Sequence, residues 1–295
     1  MKTITILSGK GGVGKSSISA SLALSFSKNK KIICADCDVD ASNLALVFGA
    51  KKQEEWIDLS TNEAAVFNLN KCGSCKKCFN VCYFGAIDWK DNKPHLKKFS
   101  CEGCGVCKLV CPQNAILMKK VSNAKIGFAN TKYGFKVVSA QLNPGESGSG
   151  KVVSEVKNKA KNMGSGADLM IVDSAAGVGC PVIASITGSD YAIIVTEPTP
   201  SGFSDMKKAI EIINFFNIPK SIIINKFDLN KSGTKQIEEY AEKNNLVVLS
   251  KIPFDKKFAL ALTNLVPIIK YAPSYELLFN DMKNKLLNLM NLWGK

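Results

Sequence analysis

Residues Ser8 to Ser17 read Ser-Gly-Lys-Gly-Gly-Val-Gly-Lys-Ser-Ser, and within them Gly9-x4-Gly14-Lys15-Ser16 has the spacing of a phosphate-binding loop. Gly9, Gly11, Gly12 and Gly14, with Val13 among them, let the backbone curl so that successive N–H groups face an anion at a helix N-terminus. Lys15 then reaches the β- and γ-phosphates, the Ser16 hydroxyl ligates Mg²⁺, and the loop closes on Ser17. The alternating run Thr3–Leu7 precedes the loop and an apolar helical pattern, Ile18–Phe26, follows it. Strand, glycine loop and helix is the context this chemistry requires. One phosphate loop needs one lysine, yet Lys10 supplies a second.

The stretch Lys10-Gly-Gly-Val-Gly-Lys15-Ser resembles the deviant Walker A loop of the MinD and Mrp family, which includes the nitrogenase iron protein. The resemblance implies that Lys10 crosses a dimer interface to phosphates bound by the other subunit, as an arginine finger does in trans. ATP binding and homodimerisation would then be coupled. It also places the hydrolytic aspartate at Asp38, in Asp36-Cys-Asp38-Val-Asp40, with Asp36 supporting it; a helix N-cap cluster is the plainer alternative. Asp173 ends the apolar run Leu169–Asp173 at the Walker B position, where a carboxylate holds Mg²⁺ through water, and Ser174-Ala-Ala-Gly177 resembles switch II. Asn225 ends the run Ser221–Asn225, where the family reads adenine with an asparagine, and Pro253 closes the base pocket. Asp228 completes an Asn-Lys-x-Asp lookalike that would imply guanine; the deviant loop favours adenine.

Eleven cysteines in a chain with this loop point to metal or redox chemistry before disulfides. Cys72-x2-Cys75-x2-Cys78-x3-Cys82 is repeated as Cys101-x2-Cys104-x2-Cys107-x3-Cys111-Pro112. This resembles the bacterial two-cluster ferredoxin run, in which the fourth cysteine of each run ligates the other cluster. Cys72, Cys75, Cys78 and Cys111 are assigned to one [4Fe–4S] cluster, and Cys101, Cys104, Cys107 and Cys82 to a second. Zinc prefers well-separated C-x2-C pairs and fits this spacing poorly. Tyr83 stands where the first run would carry proline. Cys180, in Gly177-Val-Gly-Cys180-Pro181, is a candidate ligand for a further cluster bridging a dimer, with Cys37 a weak second; the alternative is a buried cysteine at a helix start.

These motifs imply an α/β fold, a doubly wound, mostly parallel sheet of the P-loop NTPase type. A small α+β ferredoxin-like domain is inserted at 69–118, leaving 1–68 and 119–295 to the ATPase. The chain has a net charge of +14, but its lysines are scattered and it has no arginine. That favours a solvated lysine surface or an acidic protein partner over nucleic acid. With no long apolar run, and with Met1-Lys2 leading into a core strand, a cytoplasmic protein is expected. The stripe Tyr275, Leu278, Phe279, Met282, Leu286, Leu289, Met290, Trp293 has helical spacing and should dock on the core, not on a membrane. A second G-x4-G-K, Gly145 to Lys151, lacks the Mg²⁺ hydroxyl and reads as a loop near the site. His95, the single histidine, reads as a solvated loop residue.

The expected activity is ATP hydrolysis by a homodimer carrying two [4Fe–4S] clusters per chain, with an iron–sulfur acceptor or a redox protein as partner. Cluster assembly or delivery is narrowly favoured over ATP-gated electron transfer of the nitrogenase iron protein kind.

Overall fold

Uncharged runs of Ile, Val and Ala, too short for helices and bounded by polar turns, form strands buried on both faces. In the computed structural model residues 1–50 and 54–292 are described. From the N-terminus come β1 (Lys2–Ser8), α1 (Lys15–Ser27), β2 (Ile32–Cys37), α2 (Leu44–Val47) and β3 (Glu55–Leu59). The cysteine-rich stretch follows, with β4 (Asn62–Phe67), α3 (Lys77–Asn80), β5 (Ile87–Lys90), β6 (Lys93–Leu96), α4 (Val106–Leu109) and β7 (Ile116–Val121). Then come β8 (Ala124–Asn130), β9 (Lys136–Leu142), α5 (Ser149–Met163), β10 (Leu169–Ala176), α6 (Cys180–Ile186) and β11 (Tyr191–Thr196). The last elements are α7 (Pro200–Phe215), β12 (Lys220–Asn225), α8 (Lys231–Lys243), β13 (Val247–Ile252), α9 (Lys257–Thr263), α10 (Ile268–Tyr271) and α11 (Glu276–Leu292).

The chain divides into two units, one made of Met1–Trp56, Ile126–Gln141 and Ser149–Lys295, the other of Ile57–Lys125 and Leu142–Gly148. The large sheet has the order β13-β12-β11-β1-β10-β2-β9-β8-β3, and its pairings from β13 to β9 are parallel. Alternate residues of one strand feed two different cores. Ile4, Ile6, Ile193 and Ile223 join α1 and α11 on one face; Leu7, Ile194, Ile222 and Ile224 join α6, α7 and α8 on the other. Helices on both faces make the sheet doubly wound.

Helix α1 is buried on nearly every side, and its Ser25 Oγ donates to Asn280 Oδ1 of α11 at 2.7 Å. Phe279, Met282 and Leu286 of α11 are fully buried, each contributing on the order of 1.5–3 kcal/mol. The C-terminal stripe is thus docked on the core; Trp293 lies outside the described residues. None of the described helices is long and apolar enough to cross a membrane.

The second unit is larger than the expected 69–118. Strand β4 pairs antiparallel with β7, from Asn62↔Val121 to Phe67↔Ile116, so both boundaries move outward along this ladder. A second hairpin pairs β5 with β6 and contains His95 opposite Asp88, so this histidine is an exposed strand residue and not a loop residue. The first part of the second glycine loop, Gly145–Gly148, belongs here as well, while Ser149–Lys151 open α5. Asn62 Nδ2 and Asn123 Nδ2 donate to Ser147 O at 2.8 and 2.9 Å, tying it to the base of the cysteine unit.

Candidate functional site

Parallel strand order sends the carboxyl ends of β1, β2, β10, β11 and β12 to one edge, where the loops carry the candidate residues. Gly14 has φ +90°, and a Cβ there would lie 2.5 Å from Asn225 Nδ2; a Cβ on Gly9 would lie 2.4 Å from the Asp205 carbonyl. Only glycine tolerates both demands, a left-handed backbone and so close an approach. Asn225 Nδ2 donates to Val13 O at 2.7 Å, and its Oδ1 accepts from Lys226 N at 3.0 Å. The asparagine expected to read adenine is therefore also a brace for the phosphate loop, with one amide hydrogen left over. Asp228 Oδ1 accepts the Phe254 amide at 2.7 Å, which fixes the turn carrying Pro253.

At the centre, Lys15 Nζ is paired with Asp173 Oδ1 at 2.7 Å, 6% and 1% exposed respectively. Ser19 Oγ donates to the same oxygen at 2.7 Å, and Lys15 Nζ reaches Ser16 Oγ at 3.3 Å. Asp173 Oδ2 is buried without a hydrogen-bond partner. An orphaned carboxylate oxygen beside a hydroxyl fits Mg²⁺, which keeps most of its waters and takes one or two protein ligands. Asp36 Oδ1 accepts the Asp38 amide at 3.2 Å and its Oδ2 the Leu44 amide at 2.9 Å, so Asp36 shapes the loop that presents Asp38. Burial, then the neighbouring Asp173, pushes the Asp36 carboxyl up to about 7. Burial also lifts the Asp38 carboxyl, partly opposed by Lys15.

Lys10 Nζ is paired with Glu197 Oε1 at 2.7 Å and also donates to Thr199 Oγ1 and Ser201 Oγ, at 3.3 and 3.1 Å. Lys226 Nζ holds the other carboxylate oxygen at 2.8 Å and donates to Gly12 O at 3.1 Å. Burial would raise the Glu197 carboxyl, but Lys10 and Lys226 together hold it below its usual range. Glu197 and Lys226 were not foreseen. Glu197 immediately follows the buried apolar strand β11, and an acid at the carboxyl end of such a run is the available signal.

Cys37 is fully buried in β2 and presents no sulfur at the surface for a cluster shared between copies. Cys180 opens α6 and is exposed, where the sequence allowed a buried helix-start residue.

In the cysteine unit, Cys72, Cys75, Cys78 and Cys111 line one cavity, and Cys82, Cys101, Cys104 and Cys107 line another. Helices α3 and α4 occupy equivalent places in the repeat, each entered through a left-handed residue, Lys76 or Gly105. Ala86 N donates to Cys82 Sγ at 3.2 Å and Ala115 N to Cys111 Sγ at 3.3 Å. Burial first, then the nearby cysteines, raises the thiols of Cys78 and Cys107. Among the described residues no three His, Cys, Asp or Glu are placed to hold a single ion. A lone zinc would draw its sulfurs to about 3.8 Å from one another, whereas a cubane takes one thiolate at each of four separate corners. Trp89 also lines the first cavity, and its buried Nε1 has no hydrogen-bond partner in the protein, as fits a donor that a cluster sulfur would satisfy.

Comparison with known proteins agrees with the geometry of the phosphate loop and the large sheet. The chain is 44% identical over 231 residues to uncharacterized protein MJ0578 of Methanocaldococcus jannaschii, covering 77% of this chain and 79% of that one. It is 24% identical over 303 residues to an iron-sulfur cluster carrier protein of Pyrococcus abyssi, covering 97% and 85%. Its fold matches the septum site-determining protein MinD of Pyrococcus horikoshii, solved with Mg-ADP, at TM-score 0.62 and 17% identity over 100% and 99% of the two chains. Residues 4–268 match the CobQ/CobB/MinD/ParA nucleotide binding domain, and the chain belongs to that family of P-loop ATPases.

Proposed function

We propose that this chain is an ATP-hydrolysing, homodimeric iron–sulfur protein in which nucleotide controls electron transfer through a resident pair of [4Fe–4S] clusters. The observation that carries the reading is the crossed lining of the two cavities, four cysteines to each, in a chain that also builds a phosphate loop. Bound there, the clusters would supply reversible one-electron chemistry at low potential. Each cavity offers four thiols, so neither cluster would keep an open corner from which an acceptor could begin extraction. That is why the leaning from sequence toward cluster delivery gives way to electron transfer here.

On the nucleotide side, the amides of the glycine loop and Lys15 bind the phosphates, and Lys15 exchanges Asp173 for the β- and γ-oxygens. Ser16 and Asp173 hold Mg²⁺, and Asp38 orients the attacking water. Lys10 leaves Glu197 to reach the phosphates of a second copy of the chain, which makes dimerisation part of the catalytic act.

The reading is tested on anaerobically reconstituted chain. About eight iron and eight sulfide should be retained per chain, and a redox dye should reoxidise the reduced protein faster when ATP is present. ATP-driven passage of iron to an apo-ferredoxin would favour the second reading, cluster delivery. That reading draws on the exposed Cys180 at the start of α6 and on the name of the Pyrococcus abyssi relative. A cluster bridging two copies through Cys180 would then add about four iron per dimer, lost in Cys180→Ala.

A further inference from the structure

The two cysteine runs are offset by 29 positions, from Cys72 to Cys101, and the offset carries most lining residues of one cavity onto a counterpart in the other. The counterparts differ in kind. Trp89 lines the first cavity where Met118 lines the second, Lys76 where Gly105 does, and Gln113 where Phe84 does. Gly73 lines the first cavity where the second has the Glu102 carboxylate. One cavity is thus lined in part by a tryptophan, a lysine and a glutamine; the other by a methionine, a phenylalanine and a glutamate.

Trp89 Nε1 is the sharpest of these differences. It is buried with no acceptor among the protein atoms. Leaving such a donor unpaired is costly, so it calls for an acceptor that the polypeptide does not supply. In a cavity walled by four thiols, that acceptor is sulfur. Lys76 Nζ stands 5.6 Å from the centre of the Trp89 ring, adding positive charge on the same side. Hydrogen bonds to cluster sulfurs and nearby positive charge stabilise the reduced, more negative state; a nearby carboxylate opposes it.

We propose that the two cluster sites are electronically unequal, and that Trp89 and Lys76 give the site of Cys72, Cys75, Cys78 and Cys111 the higher reduction potential. The inference rests on the reading of these cysteines as cluster ligands. The first electron to enter the unit settles at this site, and the Glu102 site is the stronger reductant.

The test is a potentiometric titration of the full reconstituted chain followed by electron paramagnetic resonance. Two one-electron transitions at different midpoints are expected. Cys75→Ser should perturb the upper one and Cys104→Ser the lower. Trp89→Phe, which keeps the ring and deletes the donor, should move the upper transition down toward the lower and leave the lower in place. Lys76→Gln, at an exposed position, should shift the same transition in the same direction by less, and serves if Trp89→Phe loads poorly. Coincident transitions, an inverted order, or an upper transition that neither variant moves would overturn the inference in a chain carrying about eight iron. A chain that takes up no iron would instead sink the cluster reading beneath it.

Discussion

The two functional regions are built from different kinds of polar group. At the phosphate loop the charged groups pair with one another inside the protein. Lys15 takes Asp173, Lys10 and Lys226 share Glu197, and Asp36 gathers two amides. In the cysteine unit the thiols surround voids, and Cys78 and Cys107 are themselves two of the five buried residues of its core, with Ala65, Ile87 and Ile116. Charged groups can trade one partner for another, so the first region behaves as a switch. Thiols are weak hydrogen-bonding groups with little to trade, so the second behaves as a socket whose occupant completes its core.

The largest effect should follow from emptying the socket. Anaerobic chelation of iron from loaded protein should remove amide protection across Ile57–Lys125, while β1 and β10 stay protected. Hydrogen exchange read by mass spectrometry checks this. Uniform loss, or no loss in either unit, would erase the contrast.

The switch is tested by its two lysines. Lys15→Ala should weaken ATP binding roughly 10- to 100-fold, since a hydrogen bond to a charged group is worth about 1.5–3 kcal/mol. Lys10→Ala should bind ATP normally yet lose about 10³-fold in turnover, as expected when a charge supplied in trans is removed. It should also stay monomeric with ATP by light scattering. A Lys10→Ala monomer that hydrolyses normally would refute coupling between the copies. Glu197→Gln should act in the opposite sense, freeing Lys10 and lowering the ATP concentration needed for dimerisation by about tenfold, or roughly 1.4 kcal/mol. Sedimentation velocity across an ATP series would measure it.

What could be read from the residues alone follows the same division. Gly9, Gly14 and Lys15 were legible because a phosphate loop constrains backbone and charge over a few adjacent positions. The cysteines were legible because a cubane constrains their spacing. Strands β4 and β7 were not: much of Asn62–Phe67 and Ile116–Val121 is exposed, which leaves a weak apolar pattern and misplaced the insert boundaries. Glu197 and Lys226 meet the loop only because β11 lies beside β1 and β12 beside β11, a matter of strand order. The bond from Asn225 to Val13 O has the same origin. An orphaned atom such as Trp89 Nε1 exists only once the fold has excluded its partners.

The smallest effect concerns what the switch costs the resting chain. Burial and Asp173 raise the Asp36 carboxyl from 3.8 to about 7, so the folded chain holds a proton there that the unfolded chain has released. Stability from this group is therefore intact below 3.8 and lost as pH rises toward about 7, beyond which the buried charge opposes folding. Asp36→Asn removes the ionisation and keeps an oxygen for the Leu44 or Asp38 amide. Without nucleotide, the variant should match wild type near pH 5 and exceed it at pH 8 by about 1–2 kcal/mol, the repulsion being shared with Asp173. In a domain of this size that is a few degrees in Tm, roughly 2–4 °C per kcal/mol. Calorimetry at the two pH values decides it. Equal destabilisation at both would mean that the two amide bonds outweigh the buried charge, making Asp36 a structural cap.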